Sequence, residues 1–105
     1  MKKIEVIFEN KKLEKSYEQY SDNDPLKKKI DKIITEIKNN PAYGQQIPNK
    51  NVPKEYIKKG FNNAFWVRIN DSWRLIYTLT GDKVEILAII LDVFDHKKYE
   101  RKFKY

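Results

Sequence analysis

The sequence contains no cysteine and only one histidine, His96, and these scarcities exclude several kinds of site. Without cysteine the chain can form neither a disulfide nor a thiol nucleophile. One histidine, without carboxylates at ligand spacing, predicts no metal site. The three glycines are too dispersed to form a loop that cradles phosphate, and no serine lies in a nucleophile elbow. Any chemistry is therefore expected to need neither a metal nor a small-molecule cofactor.

Long apolar runs are also missing. The longest, Ile86 to Leu91, is far shorter than the roughly 20 residues that a membrane-spanning helix needs. The first residues lack the apolar stretch of a secretory signal. The sequence thus predicts a cytoplasmic protein with no membrane segment.

Positive charge, in contrast, is abundant. The 105 residues include 22 Lys and Arg against 15 Asp and Glu, which gives a formal net charge of +7. Such a surplus on a small surface favours an anionic partner, which can be nucleic acid, an acidic protein or anionic lipid. The length fits a single domain over residues 1–105, and a hydrophobic content of 40% is enough for a folded core.

The first forty residues show the patterns of one strand and two helices. Apolar residues alternate with Glu5 and Glu9 in "IEVIFE", which predicts a half-buried strand. Apolar residues then recur at helical spacing in two groups: Leu13, Tyr17 and Tyr20, followed by Leu26, Ile30, Ile33, Ile34 and Ile37. Asp24 before Pro25 favours the start of the second helix, which ends at "NNP". No sustained period follows from Ala42 to Asn63, and we interpret this segment as a long basic loop in which "VPKEYIKK" can form a short turn of helix.

From Phe65 onward the period changes to two. The stretches "FWVRI", "WRLIYTL" and "VEILAIILDVF" predict three strands of an antiparallel meander, joined by "NDS" and by a turn at Gly81 and Asp82. The third strand is apolar on both faces, so we expect it to be central in the sheet. Beyond it, Asp95 suits the cap of a short terminal helix with His96, Tyr99 and Phe103 on one face.

The first hairpin of the meander is expected to place two arginines side by side. If "NDS" closes with Ile69 opposite Trp73, then Arg68 faces Arg74 across the strand pair. Like charges in this position are destabilising, and a bound phosphate would remove the repulsion and accept hydrogen bonds from both guanidiniums. A purely structural alternative is that both arginines extend into solvent from an exposed face.

The face that carries these arginines is also apolar. By alternation it holds Trp66, Ile76, Leu87 and Ile89, while the helices occupy the opposite face. The sequence therefore predicts an apolar and basic surface that a partner or a substrate covers.

The terminal segment can reach the edge of this surface. It contains His96 and Tyr99 together with the basic residues Lys97, Lys98, Arg101, Lys102 and Lys104. Each feature has an ordinary structural interpretation, as an exposed histidine, as aromatic core packing or as a solvated basic face. Their convergence with the arginines at one end of the sheet favours a functional site.

These residues resemble the RelE/ParE superfamily of toxins from toxin–antitoxin modules. The similarity is carried by "WVRI", a short turn, "WRLIYTL", "VEILAIIL" and a closing His-x-x-Tyr, and the stretch from Trp73 to Tyr77 is its most specific part. The resemblance implies a small α+β domain with an N-terminal strand, a helical hairpin, a three-stranded antiparallel meander and a short C-terminal helix. It also implies a cognate antitoxin, and an acidic, partly helical segment would suit the apolar and basic face.

The RelE branch of this superfamily implies a ribosome-dependent endoribonuclease that cuts messenger RNA in the ribosomal A site. By the same resemblance, Arg74 matches an arginine that contacts the scissile phosphate, and Arg68 matches a basic residue that faces the RNA. His96 and Tyr99 resemble a basic or histidine residue and an aromatic residue that follow the last strand. Attack of the ribose 2′-OH on the adjacent phosphate needs a base, an acid and a cationic clamp, so either His96 or Tyr99 is expected to transfer a proton.

Other residues complete the predicted RNA site. Lys97, Lys98 and Arg101 are expected to hold the RNA backbone, as is Lys54 in the long basic loop. Trp66 is expected to stack on a base.

Two other functions remain open. A ParE-like toxin inhibits gyrase, and the arginines then need not support cleavage. A non-catalytic basic module would bind nucleic acid through many lysines, with an affinity that falls steeply with salt. The combination of Arg68, Arg74 and His96 favours the nuclease.

Overall fold

The computed structural model describes residues 3–81 and 84–95. Their secondary-structure elements in chain order are β1 (Lys3–Phe8), α1 (Lys11–Glu18), α2 (Pro25–Asn39), β2 (Gln45–Gln46), a 3-10 helix (Asn49–Asn51), α3 (Lys54–Lys58), β3 (Phe65–Arg68), β4 (Trp73–Gly81) and β5 (Glu85–Asp95). None of the helices in these two ranges is both long enough and apolar enough to cross a bilayer.

All five strands belong to one sheet, in the order β1-β5-β4-β3-β2. β1 runs parallel to β5, and the other neighbouring strands are antiparallel. β5 therefore has a hydrogen-bonded strand on each side, which confirms its predicted interior position. A strand in this position is apolar on both faces because both faces of the sheet are covered.

α1 and α2 cover one face of the sheet. Asp24 caps α2 by accepting a hydrogen bond from the amide of Leu26 at 2.8 Å, as predicted for an aspartate before a proline. The predicted apolar stripe of α2 enters the core, where Ile30, Ile33 and Ile37 are buried. The predicted α+β architecture is thus confirmed for the N-terminal strand, both helices and the meander. The predicted terminal helix, from His96 onward, lies outside the described residues.

Residues 47–61, which we call the covering segment, pack on the opposite face. Ile47, Val52 and Tyr56 are buried there against the apolar side chains of β4 and β5, namely Ile76, Ile89, Leu91 and Phe94. The short turn of helix predicted in "VPKEYIKK" is confirmed as α3. The rest of the prediction, a long basic loop from Ala42 to Asn63, was wrong because the segment is packed on the sheet, and so was the prediction that a partner or substrate covers this apolar face. Pro48 and Pro53 divide the segment into short pieces, so its buried residues share no single helical or strand period.

Asn63 joins the end of the covering segment to β4. Its side-chain amide donates to the carbonyl of Leu79 at 2.9 Å, and its Oδ1 accepts from the Leu79 amide at 2.8 Å and from the Thr78 hydroxyl at 2.9 Å. Thr78 is a buried polar residue, so these bonds also satisfy a hydroxyl that water does not reach.

A β-bulge in β5 sets which side chains meet near the end of the sheet. Ile76 lies opposite Asp92 whereas Tyr77 lies opposite Ile90, which leaves Leu91 as the extra residue. Beyond the bulge the alternation of faces is shifted, because two residues of one strand oppose one residue of the other. Phe94 consequently joins the core beneath the covering segment and lies opposite Arg74.

Candidate functional site

Arg68 and Arg74 lie directly opposite each other at the end of the β3–β4 hairpin. Their Cα atoms are register partners, as are those of Val67 and Leu75, which confirms the predicted pairing. Arg68 is exposed, whereas Arg74 is half-buried. Two guanidiniums on neighbouring strands form the geometry of a clamp for an anion, since each can donate paired hydrogen bonds to a phosphate or a carboxylate.

Arg74 is held in place by its surroundings. Its Nη1 donates to the carbonyl oxygens of Asn70 at 2.8 Å and Trp73 at 3.0 Å. The guanidinium carbon lies 5.7 Å from the centroid of the Trp66 ring, within the range of a cation–π interaction. A guanidinium has five N–H donors, so the Nε and Nη2 groups are not used by these two bonds. The bonds from Nη1 therefore orient Arg74 and use only part of its N–H donors.

Arg68 has looser partners. Its Nε donates to the carbonyl of Asn70 at 3.4 Å, and its guanidinium forms an ion pair with the carboxylate of Asp71. The carboxylate is 92% exposed, and ion pairs at such positions contribute little stability. A stronger anion such as phosphate can therefore replace Asp71 at small cost.

The turn between the two strands supplies partners that the sequence analysis did not identify. The carbonyl of Asn70 accepts from both guanidiniums, and its side-chain Oδ1 accepts from the amides of Ser72 at 2.8 Å and Trp73 at 2.9 Å. Asn and Asp in a short connection are typical of turns closed by their own side chains, and this was the available signal. Asn70 and Asp71 thereby reduce the repulsion expected from two arginines in register.

The covering segment borders this arginine pair. The Trp66 ring is half-buried and packs against the same apolar cluster as Tyr56 of α3. Lys54 is exposed at the first residue of that helix. Lys59, just beyond α3, donates to the carboxylate of Glu9 at 2.9 Å, and this bond lowers the pKa of Glu9. We call the turn end of the β3–β4 hairpin, with Arg68 and Arg74, the arginine edge. Together with Trp66 and Lys54, it is the part of the predicted site that the structure describes.

The remaining predicted site residues lie outside the described residues. They are His96, Lys97, Lys98, Tyr99 and Arg101. The last described residue of β5 is Asp95, which lies opposite Trp73 and directly follows Phe94, the register partner of Arg74. The predicted roles of these five residues stay predictions.

No three His, Cys, Asp or Glu side chains within residues 3–81 and 84–95 are grouped in a way that could hold a metal ion. The arrangement that the structure does offer is a cationic one, built from guanidiniums and an aromatic ring.

Comparison of the sequence with protein families identifies the family. Residues 8–91 match the YoeB-like toxins of bacterial type II toxin–antitoxin systems. The chain belongs to this family. The matched region runs from the end of β1 into β5 and includes both Arg68 and Arg74, and it confirms the predicted membership in the RelE/ParE superfamily. A YoeB-like toxin of a type II system implies a cognate antitoxin as partner.

The fold comparison agrees with this assignment. The YoeB/ParE toxin from Agrobacterium tumefaciens superimposes with a TM-score of 0.63, and the match covers 91% of this chain and 99% of that one. The two sequences are 20% identical, so this likeness establishes the shared fold. Among curated proteins, none is significantly similar to this chain in sequence.

Proposed function

We propose that this YoeB-like toxin is a ribosome-dependent endoribonuclease that cleaves messenger RNA through attack of a ribose 2′-OH on the adjacent phosphate. The observation that carries the proposal is the pair formed by Arg68 and Arg74, in register beside the turn of the β3–β4 hairpin. Both arginines lie in the region that matches the family. Cleavage of this type develops negative charge on the phosphate oxygens, which a guanidinium clamp stabilises.

Arg74 is proposed to act on the scissile phosphate. Its orientation is fixed by two carbonyl oxygens and by the Trp66 ring. A donor that is already oriented does not have to reorient when charge develops in the transition state. We therefore assign Trp66 a role in orienting Arg74, while stacking on a base stays a prediction for its exposed part.

Arg68 is proposed to hold the neighbouring backbone. Its ion pair with the exposed Asp71 carboxylate is weak, so an RNA phosphate can take the place of Asp71 when the substrate binds. Lys54, exposed at the start of α3, is proposed to contact the RNA backbone as well. Lys97, Lys98 and Arg101 are proposed to do so in the terminal segment.

A proton carrier is assigned to the terminal segment. His96 follows directly after the end of β5, and Phe94 of that strand lies opposite Arg74. Either His96 or Tyr99 is proposed to remove the 2′-OH proton or to protonate the leaving 5′-oxygen, because each side chain can do both. The mechanism assigned to this chain's residues includes no metal ion.

The cognate antitoxin is proposed to inhibit the toxin by competing with RNA. The covering segment already occupies the centre of the apolar face, so the accessible target is the arginine edge. Acidic side chains of an antitoxin can pair with Arg68 and Arg74 and so occupy the positions proposed for RNA phosphates.

Primer extension on a messenger translated in a reconstituted system tests this function. We expect the purified toxin to produce 5′ ends that are phased with codons and that appear only when ribosomes are present. Cuts on naked messenger at the same rate would contradict ribosome dependence. An intact messenger, together with inhibition of gyrase in a supercoiling assay, would assign the protein to the ParE-like function instead.

A further inference from the structure

A second basic feature lies between α2 and the end of β3, and it includes Arg68, the register partner of Arg74. An open groove of about 200 Å³ runs between α2, the connection that follows it and the end of β3. Its lining residues are Lys29, Lys32, Ile33, Tyr43, Arg68 and Ile69. Ile33 and Ile69 are buried and form the apolar floor, so the groove is part of the folded core surface and does not depend on loop conformation alone.

The rim of this groove is cationic. Lys29 and Lys32 are three residues apart on α2 and thus neighbours on one face of the helix. Arg68 lines the same groove from the end of β3, and the exposed carboxylate of Asp71 is paired with it. Three cations around an apolar floor attract an anionic ligand, and Asp71 offsets only one of the three charges.

Tyr43 supplies an aromatic wall that is anchored from the core. Its side chain is 43% exposed, and its amide donates to the carbonyl of Asn40 at 2.9 Å. The hydroxyl of the buried Tyr77 donates to the carbonyl of Pro41 at 2.7 Å and accepts from the amide of Gly44 at 2.8 Å, which fixes the backbone on both sides of Tyr43. A Cβ on Gly44 would lie 2.9 Å from the Tyr77 ring, so this close approach requires glycine.

Arg68 connects the groove with the arginine pair. β2 pairs only with Phe65 and Trp66 of β3, so Arg68 lies beyond the paired stretch, at an edge of the sheet. Its Cα is the register partner of Arg74, and Arg68 is also one of the residues that line the groove. One continuous strand of ligand can therefore pass from Arg74 around this edge into the groove.

We propose that the groove lined by Lys29, Lys32, Tyr43 and Arg68 binds single-stranded RNA, with backbone phosphates on the three cations and one base stacked on Tyr43. This extends the proposed RNA site and rests on the proposed function for the identity of the nucleic acid. Positive charge combined with an exposed aromatic ring is typical of surfaces that bind single strands. An acidic protein segment would use the same cations but has no planar base for the ring, so the observations favour RNA.

An RNA-binding assay tests the groove. The RNA is a fluorescein-labelled single strand of twelve nucleotides, and its binding is measured by fluorescence anisotropy at several salt concentrations. The groove variant is Lys29→Gln with Lys32→Gln. Its control is Lys11→Gln with Lys12→Gln, which removes the same charge from exposed positions of α1. Losing two phosphate contacts is expected to weaken binding about tenfold at low salt and to reduce the slope of log affinity against log salt by about 1.4. The control is expected to keep the slope of the wild type.

Tyr43 is tested in the same assay. Tyr43→Ala is expected to weaken RNA binding about tenfold, and Tyr43→Phe to keep most of the affinity, because stacking needs the ring and not the hydroxyl. Thermal unfolding of every variant separates loss of binding from loss of folding.

Three results would overturn the proposal. Equal losses in the groove and control pairs would show that the lysines act only through net charge. Equal losses in Tyr43→Ala and Tyr43→Phe would remove the stacked base. Unchanged RNA affinity in the groove variant, with weakened binding of a polyglutamate peptide, would assign the groove to an acidic protein. Since the assay contains no ribosomes and needs no cleavage, a failure of the proposed nuclease function in the translation assay is distinguishable from a failure of the groove.

Discussion

Replacing Arg74 by alanine is expected to lower the rate of ribosome-dependent messenger cleavage by about 10²- to 10³-fold, the range found for single preorganised donors that stabilise transition-state charge. Arg74 is half-buried and held by two carbonyl oxygens and the Trp66 ring, so its donors are oriented before substrate binds. The affinity of the toxin for the ribosome–messenger complex is expected to change much less, because many other cations contribute to that affinity. Single-turnover cleavage on programmed ribosomes, with binding measured separately, gives both quantities.

Two further variants control this result. Arg74→Lys keeps the positive charge but loses the planar fork of donors, so it is expected to recover little of the rate. Lys11→Ala removes one charge from an exposed position of α1 and is expected to leave the rate near that of the wild type. If Arg74→Ala lowered binding and rate by the same factor, Arg74 would contribute to substrate binding alone and not to the transition state.

Replacing Ile47 by alanine is expected to lower the free energy of unfolding by about 2–5 kcal/mol. Ile47 is fully buried in the cluster that joins the covering segment to β4 and β5, so truncation leaves a cavity in the core. Chemical denaturation monitored by tryptophan fluorescence measures the change. Trp66, which packs against the same cluster, is a suitable reporter.

Ile57→Ala is the matched control for this variant. Ile57 belongs to the same segment but is 51% exposed, and substitutions at such positions usually change stability by about 0.5 kcal/mol or less. Equal and small effects of both substitutions would show that the covering segment does not pack on the sheet, and the apolar face would then be open to a partner, as the sequence had suggested.

The elements that sequence reasoning predicted correctly are those whose signal is local and periodic. The cap at Asp24 is a local signal set by neighbouring residues, and the stripe on α2 and the alternation in β3 and β4 repeat over several residues. These elements could therefore be predicted from the sequence. The opposition of Arg68 and Arg74 was predictable for the same reason, because a connection of three residues leaves few registers for the hairpin.

The features that were missed depend on interactions between distant or aperiodic residues. Prolines interrupt the covering segment, so its buried residues have no common period, although the two apolar faces of β5 already required a cover on each side. The extra residue at Leu91 shifts Phe94 to the face of Arg74, and a simple alternation of faces does not reveal such a bulge. The groove combines residues of α2, its following connection and β3, which only the tertiary structure brings together.

The most direct measurement is cleavage, on the ribosome, of a messenger that carries a single 2′-deoxynucleotide on the 5′ side of the cut site. Arg68 and Arg74 are proposed to stabilise a phosphate attacked by the ribose 2′-OH, so removing that one hydroxyl should abolish the cut at this position. A 2′-deoxynucleotide one codon away should leave the same cut intact. Undiminished cleavage next to the 2′-deoxynucleotide would contradict attack by the 2′-OH and with it the catalytic role assigned to the arginine pair.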